Sequence, residues 1–168
     1  MTNSPNKFKT PSVPAQELYD LWLAEQRDPS DSRFLEAIRE MDPPDRKAIR
    51  RMFERVGVED NGDWIDVLDP VGHPKVWFRG QSSYVTRVMW SLFHGTSVPA
   101  GQSVVRATGH VHSVHPDHLE LMSRSLAVSL GMRRATSEKR LEERRLLMKY
   151  KSDIFTQEEI DQATGYVA

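Results

Sequence analysis

The chain of 168 residues contains no cysteine. That excludes a disulfide and every thiolate-held metal, so a metal bound here would rest on His, Asp, Glu, Asn or backbone oxygen. Long apolar runs are missing too. No stretch approaches the roughly eighteen residues of a membrane span, and the opening MTNSPNKFKTPSVPAQ has no hydrophobic signal region. The expectation is an intracellular, cytoplasmic protein with no membrane partner. No segment repeats and none is of low complexity, which excludes solenoid and fibrous architectures.

Net charge is almost absent, at −1, but its distribution is uneven. Residues 13–70 hold eight basic against fifteen acidic side chains, whereas residues 79–151 hold twelve basic against five acidic. Such asymmetry points to a basic surface for nucleic acid and a separate acidic region. The competing reading is a set of solvated helix faces.

What is present divides the chain into four. Residues 1–13 are polar with two prolines and predict a flexible arm. Residues 14–58 form an acidic helical segment in which AQELYDLWLAEQ, DPSDSRFLEAIREMD and PPDRKAIRRMFERVGV each carry apolar residues at helical spacing. Three helices are expected there, the last with proline near its start, serving as a cap on the core or as a partner-binding bundle. Residues 59–132 change texture. WIDVLD and KVWFRG are β-rich runs that read as two strands of one small antiparallel sheet. SSYVTRVMWSLFHG reads as a helix stopped by Gly95, and residues 103–107 as a strand. A helix is expected to start at Pro116, with Leu119, Met122, Leu126 and Leu130 on one face. Residues 133–168 are a basic helical tail, SEKRLEERRLLMKY followed by a second helix whose FTQEEI start has capping-box spacing.

The stretch GHVHSVHPDHL, residues 109–119, holds four of the six histidines. With GDWIDVLD, RVMWSLFHG and TSVPAGQSVV before it, VHPDHLEL falls in the order and spacing of the HNH homing endonucleases, the His-Me finger group, which the chain resembles over residues 62–123. The resemblance implies an α+β fold with a ββα-metal finger flanked by N-terminal and C-terminal helices, a divalent Mg or Mn ion, a DNA partner, and a source among phages or mobile elements. Phosphodiester hydrolysis in that family needs a base for water and a metal for the phosphate. Its base is a histidine at a strand end, an asparagine precedes the helix proline, and a residue twelve positions after the base helps bind metal.

Carried over, His118 matches the metal position, His115 stands at the asparagine position and could share the metal, and Pro116 and Leu119 match the frame. Arg106 stands where the base belongs. A guanidinium stays protonated and accepts no proton from water. Thr108 and Ser113 occupy the places of the first structural-zinc cysteines, so the resemblance implies that this zinc site is absent. His110, His112 or His115 would have to replace the base, and otherwise His110 and His112 are exposed turn residues. Arg106 itself would hold a phosphate oxygen in place of the metal, or pair with Asp117. Arg106, Arg79, Arg87, Arg133, Arg134, Lys139, Arg140, Arg144 and Arg145 are the candidate DNA contacts, with a salt-dependent footprint. The tail faintly resembles the start of a helix-turn-helix, and the chain is expected to end before a complete recognition unit. The functional expectation is a DNA-binding protein on a degenerate HNH scaffold, without efficient cleavage. Its rivals are an active, divergent metal-dependent endonuclease and an assembly factor that binds another protein.

Overall fold

A computed structural model describes residues 8–131 and 137–166. Among these the fold is mixed α+β, with seven α-helices and six short strands. The first half runs α1 (Ala15–Arg27), α2 (Arg33–Ala37), α3 (Pro43–Phe53), β1 (Val56–Val58), β2 (Trp64–Asp66), β3 (Lys75–Phe78), β4 (Gln81–Tyr84) and α4 (Val85–His94). The second half runs β5 (Gln102–Arg106), β6 (Leu119–Ser123), α5 (Arg124–Gly131), α6 (Ser137–Lys151) and α7 (Gln157–Thr164).

The strands do not join into one sheet. They form three separate antiparallel ribbons, β1 with β2, β3 with β4 and β5 with β6. The runs WIDVLD and KVWFRG, expected in one sheet, lie in different ribbons, each paired with a strand near it in the chain. Trp64 lies opposite Val58, whereas Phe78 meets Gln81 across the two-residue turn Arg79-Gly80. Both turn residues have positive φ, 49° and 84°, the conformation that suits the right-handed twist of a tight hairpin.

The acidic helices are part of the main core. Phe53 of α3 meets Tyr19 of α1 edge-on at 5.3 Å and Trp64 of β2 edge-on at 5.7 Å. Fully burying such a side chain contributes about 1.5–3 kcal/mol. Leu18, Phe34, Ile49 and Trp64 lie in one cluster with Val88, Met89 and Leu92 of α4. Apolar spacing in residues 14–58 thus reports a layer laid across the ribbons.

Two expectations change with the structure. Of the arm foreseen over residues 1–13, the described part is bound down. The Phe8 amide donates to Gly95 O at 3.0 Å, the Ser12 amide donates to Ala37 O at 2.9 Å, and the Phe8 ring stacks on Phe78. The helix foreseen from Pro116 begins only at Arg124. Pro116 to His118 make a single 3₁₀ turn, and Leu119–Ser123 is β6, paired residue for residue from Arg106↔Leu119 to Gln102↔Ser123. Its apolar residues fit a helical spacing, but the open edge of β5 supplies a hydrogen-bond ladder, and tertiary pairing overrides that pattern.

The C-terminal helices form a smaller unit in which Leu146 of α6 and Ile160 of α7 are buried. Thr156 and Glu159 close the expected capping box at the start of α7. Glu59, beside β1, fastens α6 to the body. Its carboxylate accepts from Arg145 at 3.0 Å, Lys149 at 3.0 Å and the Tyr150 hydroxyl at 2.6 Å. Tyr150 lies so close to the ribbon that a Cβ on Gly57 would stand 2.6 Å from its hydroxyl oxygen. No described helix is long and apolar enough to cross a membrane.

Candidate functional site

The histidine-rich segment is the long loop between β5 and β6. It leaves β5 through a turn in which the His110 amide donates to Ala107 O at 3.0 Å, with Gly109 at φ 84°, a conformation that favours glycine. It then docks on β2, the Val114 amide donating to Trp64 O at 2.7 Å and the Trp64 amide to Ser113 Oγ at 3.3 Å. The ladder closes where the Ala107 amide donates to His118 O at 2.8 Å.

This docking brings His110 and His118 together with Asp63, the residue just before β2. His110 Nδ1 lies 2.5 Å and His118 Nδ1 3.1 Å from Asp63 Oδ1, and the two imidazoles stack at 3.8 Å between centroids. The other carboxylate oxygen accepts from the Asn61 amide group at 3.2 Å, and the Asp63 backbone amide donates to Asn61 Oδ1, which fixes the direction of the acid. One ligand atom from each of Asp63, His110 and His118 lies within 4.8 Å of the others, so these three could hold a metal ion. His110 is the most exposed of them, at 32% of its side chain.

The other two loop histidines point elsewhere. The His115 ring packs on Trp64 at 4.2 Å, and its Nδ1 accepts the Asp117 amide at 3.1 Å, capping the 3₁₀ turn. It therefore takes a structural position, and the group of possible metal ligands around His118 does not include it among the described residues. His112, foreseen as an exposed turn residue, is buried, and neither ring nitrogen has a hydrogen-bond partner. Its Nε2 lies 3.6 Å from Glu143 Oε1, beyond hydrogen-bond reach, and burial holds its pKa down to about 4, so no ion pair forms near neutrality. Burial likewise lowers His115 to about 4 and lowers His118, where the neighbouring His110 adds to the effect.

Arg106, at the end of β5, bonds to backbone carbonyls and makes no ion pair with Asp117 among the described residues. Nε donates to Ser113 O and Nη2 to Gly72 O, each at 3.1 Å. Burial lowers its pKa from the ordinary guanidinium range. The guanidinium also lines a groove of about 500 Å³ along the hairpin, together with His73, Thr86, Thr108, Glu120 and Lys139.

The remaining basic candidates divide by partner. Arg79 forms a two-point pair with buried Asp45. Arg144 pairs with Asp161, Arg145 with Glu142 and Glu59, and Lys139 approaches Glu143 at 3.9 Å. Arg87 and Arg140 are exposed and make no ion pair among the described residues. Arg133 and Arg134 lie outside the described residues.

Compared with known proteins, the chain matches no family model, no curated protein and no solved structure.

Proposed function

We propose that the chain is a DNA-binding protein on an HNH-like scaffold that does not cleave by the mechanism of that family. The order β5, long loop, β6, α5 supports a ββα-type finger. The observation that carries the reading is Arg106. It occupies the strand end where the family has its base, and two backbone carbonyls hold it there. Two of the five guanidinium N–H donors are used in these bonds, and the side chain borders the open groove. A permanent cation in that position cannot take a proton from water, but it can bind a phosphate oxygen.

Incubation of purified protein with supercoiled plasmid, in Mg²⁺ or Mn²⁺ against EDTA, tests this on one gel. The expected result is retardation with no metal-dependent nicking, and weaker retardation for Arg106→Ala. Nicking that depends on metal and disappears in His118→Ala would instead favour a divergent endonuclease. Because Arg79, Arg144, Arg145 and Lys149 are paired within the chain, few cations remain for phosphates. With about three or four phosphate contacts, log K should fall against log salt with a slope near −3, at about 0.9 per contact. A slope steeper than about −7 would mean that the internal ion pairs open on DNA.

A second reading, docking of a protein partner, is favoured by one observation. Leu141, Ile154 and Phe155 of the C-terminal unit are exposed apolar groups, while most of the basic groups around them are neutralised within the chain. Absence of retardation at low salt would favour it.

A further inference from the structure

We propose that Asp63 Oδ1, His110 Nδ1 and His118 Nδ1 form a binding site for a nitrogen-seeking divalent metal of the Zn²⁺ class, fastening the turn before β2 to the loop between β5 and β6. This stands independently of the DNA-binding reading. The Mg or Mn ion implied by the HNH resemblance would have only His118 in common with this site, because Asp63 and His110 have no metal role in the pattern carried over from that family.

The first observation is the convergence itself, two imidazole nitrogens on one carboxylate oxygen. The second is a proton count that does not close. Ser113 is fully buried, and its Oγ accepts from the backbone amides of Trp64 at 3.3 Å and His115 at 3.2 Å. Its own hydroxyl proton has His118 Nδ1, 2.9 Å away, as acceptor. If the hydroxyl donates there, Nδ1 carries no proton and faces Asp63 Oδ1 lone pair to lone pair at 3.1 Å. If Nδ1 carries the proton instead, the buried Ser113 hydroxyl loses that acceptor. Either assignment leaves a buried polar mismatch of the kind that folded proteins avoid. A cation at the shared point removes the opposition between the nitrogen and oxygen lone pairs.

The geometry suits zinc. Ligand atoms on a tetrahedral Zn²⁺ with bonds of about 2.0–2.1 Å stand about 3.3 Å apart, and the three here already lie within 4.8 Å. Ion entry would part the His110 ring from its stack on His118 and reorient it, opening the 2.5 Å and 3.1 Å contacts to Asp63 Oδ1, and Ser113 Oγ or solvent can complete the shell. Asn61, held on both Asp63 Oδ2 and the Asp63 backbone, acts as the outer support that orients a ligating carboxylate. Two imidazoles with one carboxylate select Zn²⁺, Co²⁺ or Ni²⁺, whereas Mg²⁺ prefers oxygen and retained water.

The test uses tag-free, chelator-stripped full chain at pH 7.5, equilibrium dialysis against Zn²⁺ with metal analysis, and thermal melting with and without the ion. The expected result is one Zn²⁺ per chain, a Tm raised by several degrees, and no displacement by millimolar Mg²⁺. His110→Gln, a change at the most exposed ligand, should weaken binding at least tenfold, with circular dichroism showing that the metal-free variant is folded. His73→Gln, at an exposed histidine outside the cluster, should bind normally. Co²⁺ loaded in place of Zn²⁺ should give a visible absorption band that changes in His110→Gln. No stoichiometric binding, or binding of equal strength in His110→Gln, would overturn the site.

Discussion

Replacing Arg79 with alanine should cost about 3–5 kcal/mol of stability, more than any change on the exposed basic tail. The reason is Asp45. Its side chain is fully buried in the first turn of α3, and the Arg79 guanidinium closes on both carboxylate oxygens, Nε at 2.8 Å and Nη2 at 2.7 Å, with Asp42 further off at 3.7 Å. Removing the cation leaves a buried carboxylate without its compensating charge and its two hydrogen bonds. The backbone already contributes strain there. Arg79 has φ 49°, a conformation costing a side-chain-bearing residue about 1 kcal/mol, which asparagine would tolerate better. The guanidinium also covers Phe8 at 4.1 Å and Phe78 at 5.4 Å. Urea unfolding of Arg79→Ala, Asp45→Ala and the double variant measures the coupling. The double variant should be less destabilised than the sum of the singles by 2 kcal/mol or more, because it leaves no orphan charge. Strict additivity, or a loss under about 1 kcal/mol for Arg79→Ala, would show that the pair is solvated.

The second large effect is a loss of stability on mild acidification. His112 and His115 stay neutral in the folded chain down to about pH 4, burial being the main cause, whereas in the unfolded chain they titrate near the ordinary 6.5. Between those values the unfolded state binds more protons, so stability falls as pH drops from about 6.5 to about 4 and is complete only above that window. At roughly 1.4 kcal/mol per pKa unit, each contributes up to about 3 kcal/mol. Urea midpoints at pH 7.5 and 4.5 should therefore differ well beyond what one exposed group produces. His112→Leu should roughly halve this dependence and cost little at pH 7.5, since neither ring nitrogen has a partner to lose. His115→Ala should cost stability at both pH values, because it removes the cap on the Asp117 amide and a ring packed on Trp64. A flat profile between pH 7.5 and 4.5 would mean that water reaches both rings.

Local chemistry made much of this fold readable. Gly95 stops α4 with φ 72°, and the Thr156 to Glu159 box starts α7, because caps act within a few residues of themselves. Pairing was not readable in the same way. Leu119, Met122 and Leu126 satisfy a helical period as well as Leu119 and Leu121 satisfy a strand period, and only the neighbouring edge of β5 decides between them. The histidine stretch pointed to a candidate metal cluster, with His118 in it, but did not show the acid that joins it. His110 finds its partner 47 residues earlier, in an aspartate that sits unremarkably in a turn sequence. His115 and His118, three residues apart, could share a metal by spacing alone, but His115 packs on Trp64 while His118 Nδ1 faces Asp63. Charge counting does not show pairing on the tail, where Arg144 and Arg145 are answered by acids of α7, α6 and the β1 turn.

The single carboxylate of Glu59 bears on the timing of motion. It gathers donors that stand 86 to 91 residues later in the chain, all on α6, so this long-range attachment forms or breaks together. The C-terminal pair of helices therefore behaves as one opening unit, with amide exchange in α6 and α7 sharing a common rate faster than that of the amides around Trp64. Since charge holds the unit in place, ionic strength accelerates that opening while leaving exchange in the aromatic core almost untouched.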